Sequence, residues 1–330
     1  MNRVVYTLAL SAFFLSQSAV ASPRRVPPKI NSVPNTVNDS RTQALVGPGS
    51  RGSAVLRAQI LLDRAHFSPG EIDGHFGDDL RVAVTGYQQA QNLKVSGRMT
   101  KETWDALNRD RELLIIAHTI SGEEVKGPFE PIPEDMAEKS KLKALGYATP
   151  QEALGEKFHS SPQLLASLNP GKDLSKPGEE IMVLNVVRRK LESAAARVEV
   201  SKASRTVSVL DASGDVLARY PATIGSEHDP LPVGDWKVTA VQHNPVFNYN
   251  PALFWDAAAS EEKARIAPGP NNPVGTVWVG LSKEHYGIHG TPEPGQIGHS
   301  QSHGCIRLTN WDAEELSHLV KTATPVILKD

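Results

Sequence analysis

The chain has almost no cysteine. Cys305 is the only one in 330 residues, so no internal disulfide can form. Structural cysteines of exported proteins come in pairs, and a lone thiol stays open to chemistry. Net charge is missing too: 35 Lys and Arg stand against 37 Asp and Glu, a formal balance of −2. That leaves no electrostatic case for nucleic acid or an anionic membrane as partner. Beyond the first 21 residues no stretch is long and apolar enough to span a bilayer. No H-E-x-x-H sequence occurs, so the commonest zinc-peptidase signature is absent as well.

Residues 1–21 read as a secretory signal peptide. Arg3 precedes an uncharged run from Val4 to Val20, interrupted by Ser11, Ser16, Gln17 and Ser18, and Ala19-Val20-Ala21 fits an A-x-A cleavage site. No cysteine stands at that site, so a lipoprotein anchor is not expected. The mature chain is expected in the periplasm or cell envelope, with no transmembrane segment. Residues 22–48 contain Pro23, Pro27, Pro28, Pro34 and Pro48 among Asn, Ser, Thr and Arg. They bury too little apolar surface to fold and read as a disordered linker.

Three further segments follow. In 49–109, Val55, Ala58, Leu62 and Ala65 share one helical face, and Leu80, Ala83, Val84 and Tyr87 share another. Asp73-Gly74 marks a turn between them, and Thr100 can cap a third helix that buries Trp104 and Leu107. Periodicity predicts a small three-helix bundle. Segment 113–187 holds a proline-rich stretch, Gly127 to Pro133, then Leu154 to His159, Leu164 to Gly171 and Glu180 to Val183. From Arg197 the pattern becomes strands: Val198 and Val200, Val207 and Val209, Trp236 to Val241, Thr276 to Leu281, and Pro325 to Leu328. Ser213-Gly214 reads as a hairpin turn, and Thr309 or Asn310 as a helix cap. Residues 242–272 form a long irregular stretch, the kind that serves as a lid. The expected fold is multidomain α+β: a helical bundle, a middle segment, and a mainly β, sandwich-like domain over 196–330.

Chemistry concentrates near the C-terminus, in Ile288-His289-Gly290-Thr291 and Ser302-His303-Gly304-Cys305-Ile306-Arg307. An imidazole can take the thiol proton, which makes Cys305 a candidate nucleophile. His303 lies two residues away and His289 comes from another segment, so both qualify as base. Gly304 and Cys305 offer backbone amides for an oxyanion. Ser302 is a candidate to orient an imidazole, and Arg307 to pair with a substrate carboxylate.

These residues resemble the active-site signature of the L,D-transpeptidases, the YkuD family: His-Gly, a spacer, then Ser/Thr-His-Gly-Cys, an apolar residue and Arg or Asn. The resemblance implies acyl transfer from a peptidoglycan stem tetrapeptide to an acceptor amine, probed by carbapenem inhibitors. It implies Cys305 as nucleophile, His289 as proton acceptor, and His303, Ser302, Gly304, Arg307 and Gly290 in support. No cofactor and no metal are expected. Segment 49–109, with Gly49-Ser50-Arg51-Gly52, Ile72 to Gly77 and Gly97-Arg98-Met99-Thr100, resembles the peptidoglycan-binding domain of wall enzymes. Segment 113–187 is similar to a LysM module, in which two helices pack on a small sheet and bind glycan, and its unusually long insert leaves a structural spacer as the alternative. Both read as tethers that raise local concentration without touching the chemistry. Direct cross-links between diaminopimelate residues are the expected product. Attachment of a wall lipoprotein and hydrolysis by water are the alternatives. Two other classes stand beside this one: a zinc peptidase using His285, His289, His299 and His303, and a non-catalytic wall-binding protein.

Overall fold

The computed structural model describes residues 33–330. The expected signal peptide, and the linker up to residue 32, lie outside the described residues. The later part of that linker corrects the expectation of disorder. Val33–Asn38 is a short helix, α1, and Val37 and Val46 are buried. The Asn38 side chain accepts from the Leu114 and Ile115 amides at 2.8 and 2.9 Å and donates to the Ile115 carbonyl at 2.9 Å. The Trp104 indole donates to the Ala44 carbonyl at 2.9 Å. Two valines and a few directed bonds dock a segment whose composition is polar.

The bundle follows its periodicity. Helices α2 (Ser53–Arg64), α3 (Asp78–Ala90) and α4 (Lys101–Leu107) bury the apolar faces read from the sequence, with Trp104 fully inside. Thr100 caps α4 by accepting from the Thr103 amide. In the middle segment, β1 (Ile115–Thr119) pairs antiparallel with β2 (Glu180–Leu184). Between them come α5 (Met136–Lys139), α6 (Pro150–Lys157) and α7 (Pro162–Leu168). Leu154, Phe158 and Leu165 of the helical part pack on Ile120, Ile181 and Val183. Helix α5 belongs to the long insert between β1 and α6.

The last segment supplies β3 (Arg197–Ser201), β4 (Thr206–Leu210), β5 (Val216–Pro221), β6 (Thr223–Ile224), β7 (Gly234–His243), β8 (Phe247–Tyr249), β9 (Ala264–Ile266), β10 (Val277–Leu281), β11 (Gly287–His289), β12 (Ile306–Arg307), helix α8 (Asn310–Leu319) and β13 (Pro325–Lys329). Nine strands form one sheet in the order β5-β4-β3-β13-β7-β10-β11-β12-β6, and β8 with β9 makes a separate hairpin. The pairs β3–β13 and β11–β12 are parallel. Valines of β3 and β4 share one core with Val277, Val279, Ile288 and Ile306 from the other half of the sheet. Ala313 and Leu316 of α8 close that core.

The three segments are joined by more than linkers. Ser68 of the bundle donates its amide to the Arg219 carbonyl at 2.9 Å, and the Arg219 amide donates to the His66 carbonyl at 2.8 Å. Ile72 exchanges backbone bonds with His159 and Ser161 of the middle segment, both at 2.9 Å. At the meeting point, the buried Arg188 guanidinium bonds Asp63 of α2 at 2.5 Å, Asp312 of α8 at 2.7 Å, and Glu315 of α8.

Candidate active site

Parallel pairing of two very short strands creates the site. Ile288 faces Ile306 in register, and His289 faces Arg307. Cys305, immediately before β12, therefore arrives beside the end of β11. Two glycines make the approach possible. Gly304 has φ +92°, and a Cβ there would lie 2.8 Å from Tyr286 Cε1. A Cβ on Gly287 would lie 2.5 Å from the Trp278 ring, so only glycine lets that indole lie across the strand. Trp278 then stacks on His289, with centroids 5.4 Å apart and 19° between planes.

His289 is 3% exposed, and its Nδ1–H donates to the Gly290 carbonyl at 2.6 Å. Burial, followed by the Arg307 charge, pushes its pKa down to about 3, so the ring is neutral with Nε2 free to accept a proton. Cys305 is half-buried, and its Sγ–H donates to the His285 carbonyl at 3.6 Å. Burial pushes the thiol pKa up, while a Gly287 backbone hydrogen bond and the Arg307 charge pull it back. Burial lowers the pKa of Arg307, with Cys305, Glu293 and Asp256 opposing the shift. The resting pair is therefore neutral thiol and neutral imidazole.

The remaining sequence candidates divide. Ser302 orients no imidazole, which corrects that expectation. Its hydroxyl accepts from the Gly225 amide at 2.7 Å and donates to the Cys305 carbonyl at 2.6 Å, so it pins the cysteine loop to the turn after β6. His303 turns its Nε2 to Asp256 Oδ1 at 2.7 Å and lies edge-on to Phe254, with centroids 4.9 Å apart. Arg307 donates to the Gln301 carbonyl at 3.4 Å. His289, His303, Cys305 and Arg307 all line one cleft of about 750 Å³, together with Trp278 and Tyr286. Residues 245–249, 253, 254, 256 and 257, from the irregular stretch that the sequence marks as a lid candidate, line its wall.

Asp256 escapes sequence reasoning, as do the Asn310 contact with Gly290, beyond the cap the sequence offers there, and the stacking of Trp278 on His289. Asp256 follows Phe254-Trp255 in an irregular segment, and no spacing links it to His303. Of the four histidines weighed as zinc ligands, His285, His289 and His303 line the cleft and His299 does not, and each ring has a different neighbour. His285 is nearest Glu284, His299 is 3.7 Å from Asp79, His303 holds Asp256, and His289 holds Gly290. Among the described residues no group of three or more His, Cys, Asp or Glu could hold a metal. No helix among them is long and apolar enough to cross a membrane.

Comparison with known proteins agrees with this geometry. Residues 195–328 match the family model of the L,D-transpeptidase catalytic domain, YkuD, and residues 51–107 match a candidate peptidoglycan-binding domain. A candidate L,D-transpeptidase YkuD of Bacillus licheniformis is 29% identical over 177 residues, 53% of this chain and 90% of that protein. Its counterpart in Bacillus subtilis is 28% identical over 171 residues, 52% of this chain and 83% of that one. Among solved structures, L,D-transpeptidase 3 from Mycobacterium tuberculosis with a faropenem-derived adduct aligns at TM-score 0.35 and 19% identity, over 45% of this chain and 66% of that chain. The chain is an L,D-transpeptidase enzyme, in which a segment that matches the YkuD catalytic-domain model, 195–328, follows a helical segment that matches the peptidoglycan-binding model, 51–107.

Proposed function

We propose that Cys305 is the nucleophile and His289 its base in acyl transfer from a peptidoglycan stem tetrapeptide. The observation that carries this is a buried, neutral imidazole, fixed through Nδ1–H to Gly290, in the same cleft as the lone thiol. Sγ attacks the donor carbonyl carbon as His289 Nε2 takes the thiol proton. A C–S bond forms, the C–N bond to the terminal residue breaks, and the imidazolium returns its proton to the leaving amine. An acceptor amine then attacks the thioester, passes its proton to His289, and expels the thiolate, which takes that proton back. Backbone amides of Gly304 and Cys305 receive the oxyanion. Arg307 lies on the cleft wall as the partner for a substrate carboxylate, and His303 holds the facing segment through Asp256.

The acceptor we favour is a second stem peptide, giving direct diaminopimelate cross-links in the periplasm after export by residues 1–21. Carbapenems are expected to acylate Cys305, because a strained β-lactam carbonyl meets the same thiol. Mass spectrometry of muropeptides after incubation with purified protein tests the reading. Dimers cross-linked between diaminopimelates support it. Disaccharide tripeptides alone, or lipoprotein remnants alone, replace the acceptor by water or a lipoprotein lysine. Activity that survives in Cys305→Ala overturns the mechanism itself.

A further inference from the structure

We infer that Glu156 of α6 and Asn310 of α8 are positioning residues for His289, so that the middle segment completes the catalytic centre. This rests on the reading of His289 as the base.

The tautomer of His289 depends on the Gly290 carbonyl, which accepts from Nδ1–H at 2.6 Å. Asn310 packs against the Cα of the same Gly290 and so fixes where its peptide lies. Its side chain is buried and wedged between Gly275 and Gly290, where a Cβ on either glycine would collide first with its Oδ1. The same Oδ1 accepts from the Thr276 amide at 3.1 Å. The wedge works in one orientation of the amide only. A flipped amide would set NH2 against the Thr276 N–H, donor to donor.

Glu156 selects that orientation. Its Oε1 accepts from Asn310 Nδ2 at 2.8 Å, while the Pro270 carbonyl offers a longer contact of 3.2 Å. Tyr147 donates its hydroxyl to the same Oε1 at 3.3 Å and holds the carboxyl in place. Burial raises the Glu156 pKa to about 7, with Glu152 adding to the rise. Either protonation form presents an acceptor oxygen to Asn310. A second strap runs alongside. Asn271 Nδ2 donates to Glu152 Oε1 at 2.7 Å, and the Leu145 amide donates to the Pro268 carbonyl at 2.9 Å. The path is continuous: Tyr147 and Glu156 in the middle segment, Asn310, the Gly290 peptide, and then the His289 ring.

The test uses the full chain on a soluble tetrapeptide donor, with kcat and KM measured separately. Glu156→Ala is expected to lower kcat about tenfold or more with KM nearly unchanged, because a misplaced base costs rate and not ground-state binding. Glu156→Gln keeps an acceptor at Oε1 and is expected to restore kcat to within about threefold of wild type. Glu156→Met fills the space without an acceptor and keeps the test decisive if the alanine variant fails to fold. Wild-type kcat in Glu156→Met, or a Gln variant no better than Met, overturns the inference. Cys305→Ala and His289→Ala run in parallel. If they stay active, the reading of the site fails. If they are dead while Glu156→Met is fully active, only the positioning role fails.

Discussion

Burial sets the protonation of the proposed pair, Cys305 and His289, and that makes a kinetic prediction at the residue scale. With its pKa lowered from 6.5 to about 3, His289 is a proton acceptor throughout the mildly acidic range. The acid limb of kcat/KM, which reports the free enzyme, is expected well below the ordinary imidazole value. A limb near 6.5 would show that His289 is not the titrating base. The same shift acts on stability. Between about 3 and 6.5 the unfolded chain binds a proton at this position that the folded chain refuses. His289 therefore destabilises the fold as pH falls through that window, and His289→Gln is expected to flatten the slope of unfolding free energy there. Gly304 gives a second residue-scale prediction. Ala at φ +92° costs about 1–2 kcal/mol for the left-handed backbone, and its Cβ would press on Tyr286 at 2.8 Å. Gly304→Ala is expected to lose most acylation by a carbapenem, read by intact mass, while the catalytic domain still unfolds cooperatively.

At the scale of elements, the segment around Asp256 on the cleft wall is held to His303 by a side-chain bond and by aromatic contacts. Asp256 meets His303 at 2.7 Å, and Phe254 and Trp255 lie against the same ring. Asp256 is about half exposed, so Asp256→Ala is expected to cost less than about 1 kcal/mol of stability. Its effect belongs to gating. A loosened cleft wall is expected to admit water to the thioester and raise the ratio of hydrolysed tripeptide to cross-linked dimer. An unchanged ratio would remove His303 and Asp256 from the gate. The elements themselves were largely legible. The faces of α2 and α3, the caps at Thr100 and Thr309, and β3, β4, β7, β10 and β13 carry their periodicity or cap chemistry in the local sequence. So does the Cys305 loop, whose residue types are dictated at consecutive positions. The strap at 33–48 and the bond from His303 to Asp256 were not legible. They depend on partners far away in sequence, and composition says nothing about a partner.

At the scale of the whole molecule, the same blindness hid how the segments join, and the tether reading changes as a result. Arg188 is 9% exposed and faces Asp63 of the bundle together with Asp312 and Glu315 of α8. His66 of the bundle adds a 2.6 Å contact to Glu315, and Ser68 donates to Asp312 at 2.7 Å. The Arg188 charge and the His159 contacts hold the Asp63 carboxyl below its usual range, and Arg188 with His66 does the same for Glu315, each against the upward push of burial. Burial still raises Asp312. Four charges buried together are tolerable only as a set. Arg188→Ala would leave three carboxylates without their counter-charge at the junction of all three segments. The expected loss is about 3–5 kcal/mol, the usual cost of removing one partner from a buried ion group. It should appear as a lower midpoint in thermal unfolding, with the loss shrinking below about pH 4, where Asp63 and Glu315 lose their charge in the unfolded chain. Truncation to residues 190–330 deletes Arg188 and the bundle together and exposes Asp312 and Glu315. It is expected to reduce both stability and turnover of a soluble donor, where a tether would reduce only pelleting with sacculi. A truncated domain as stable and as active as the full chain would return the bundle and the middle segment to the role of tethers.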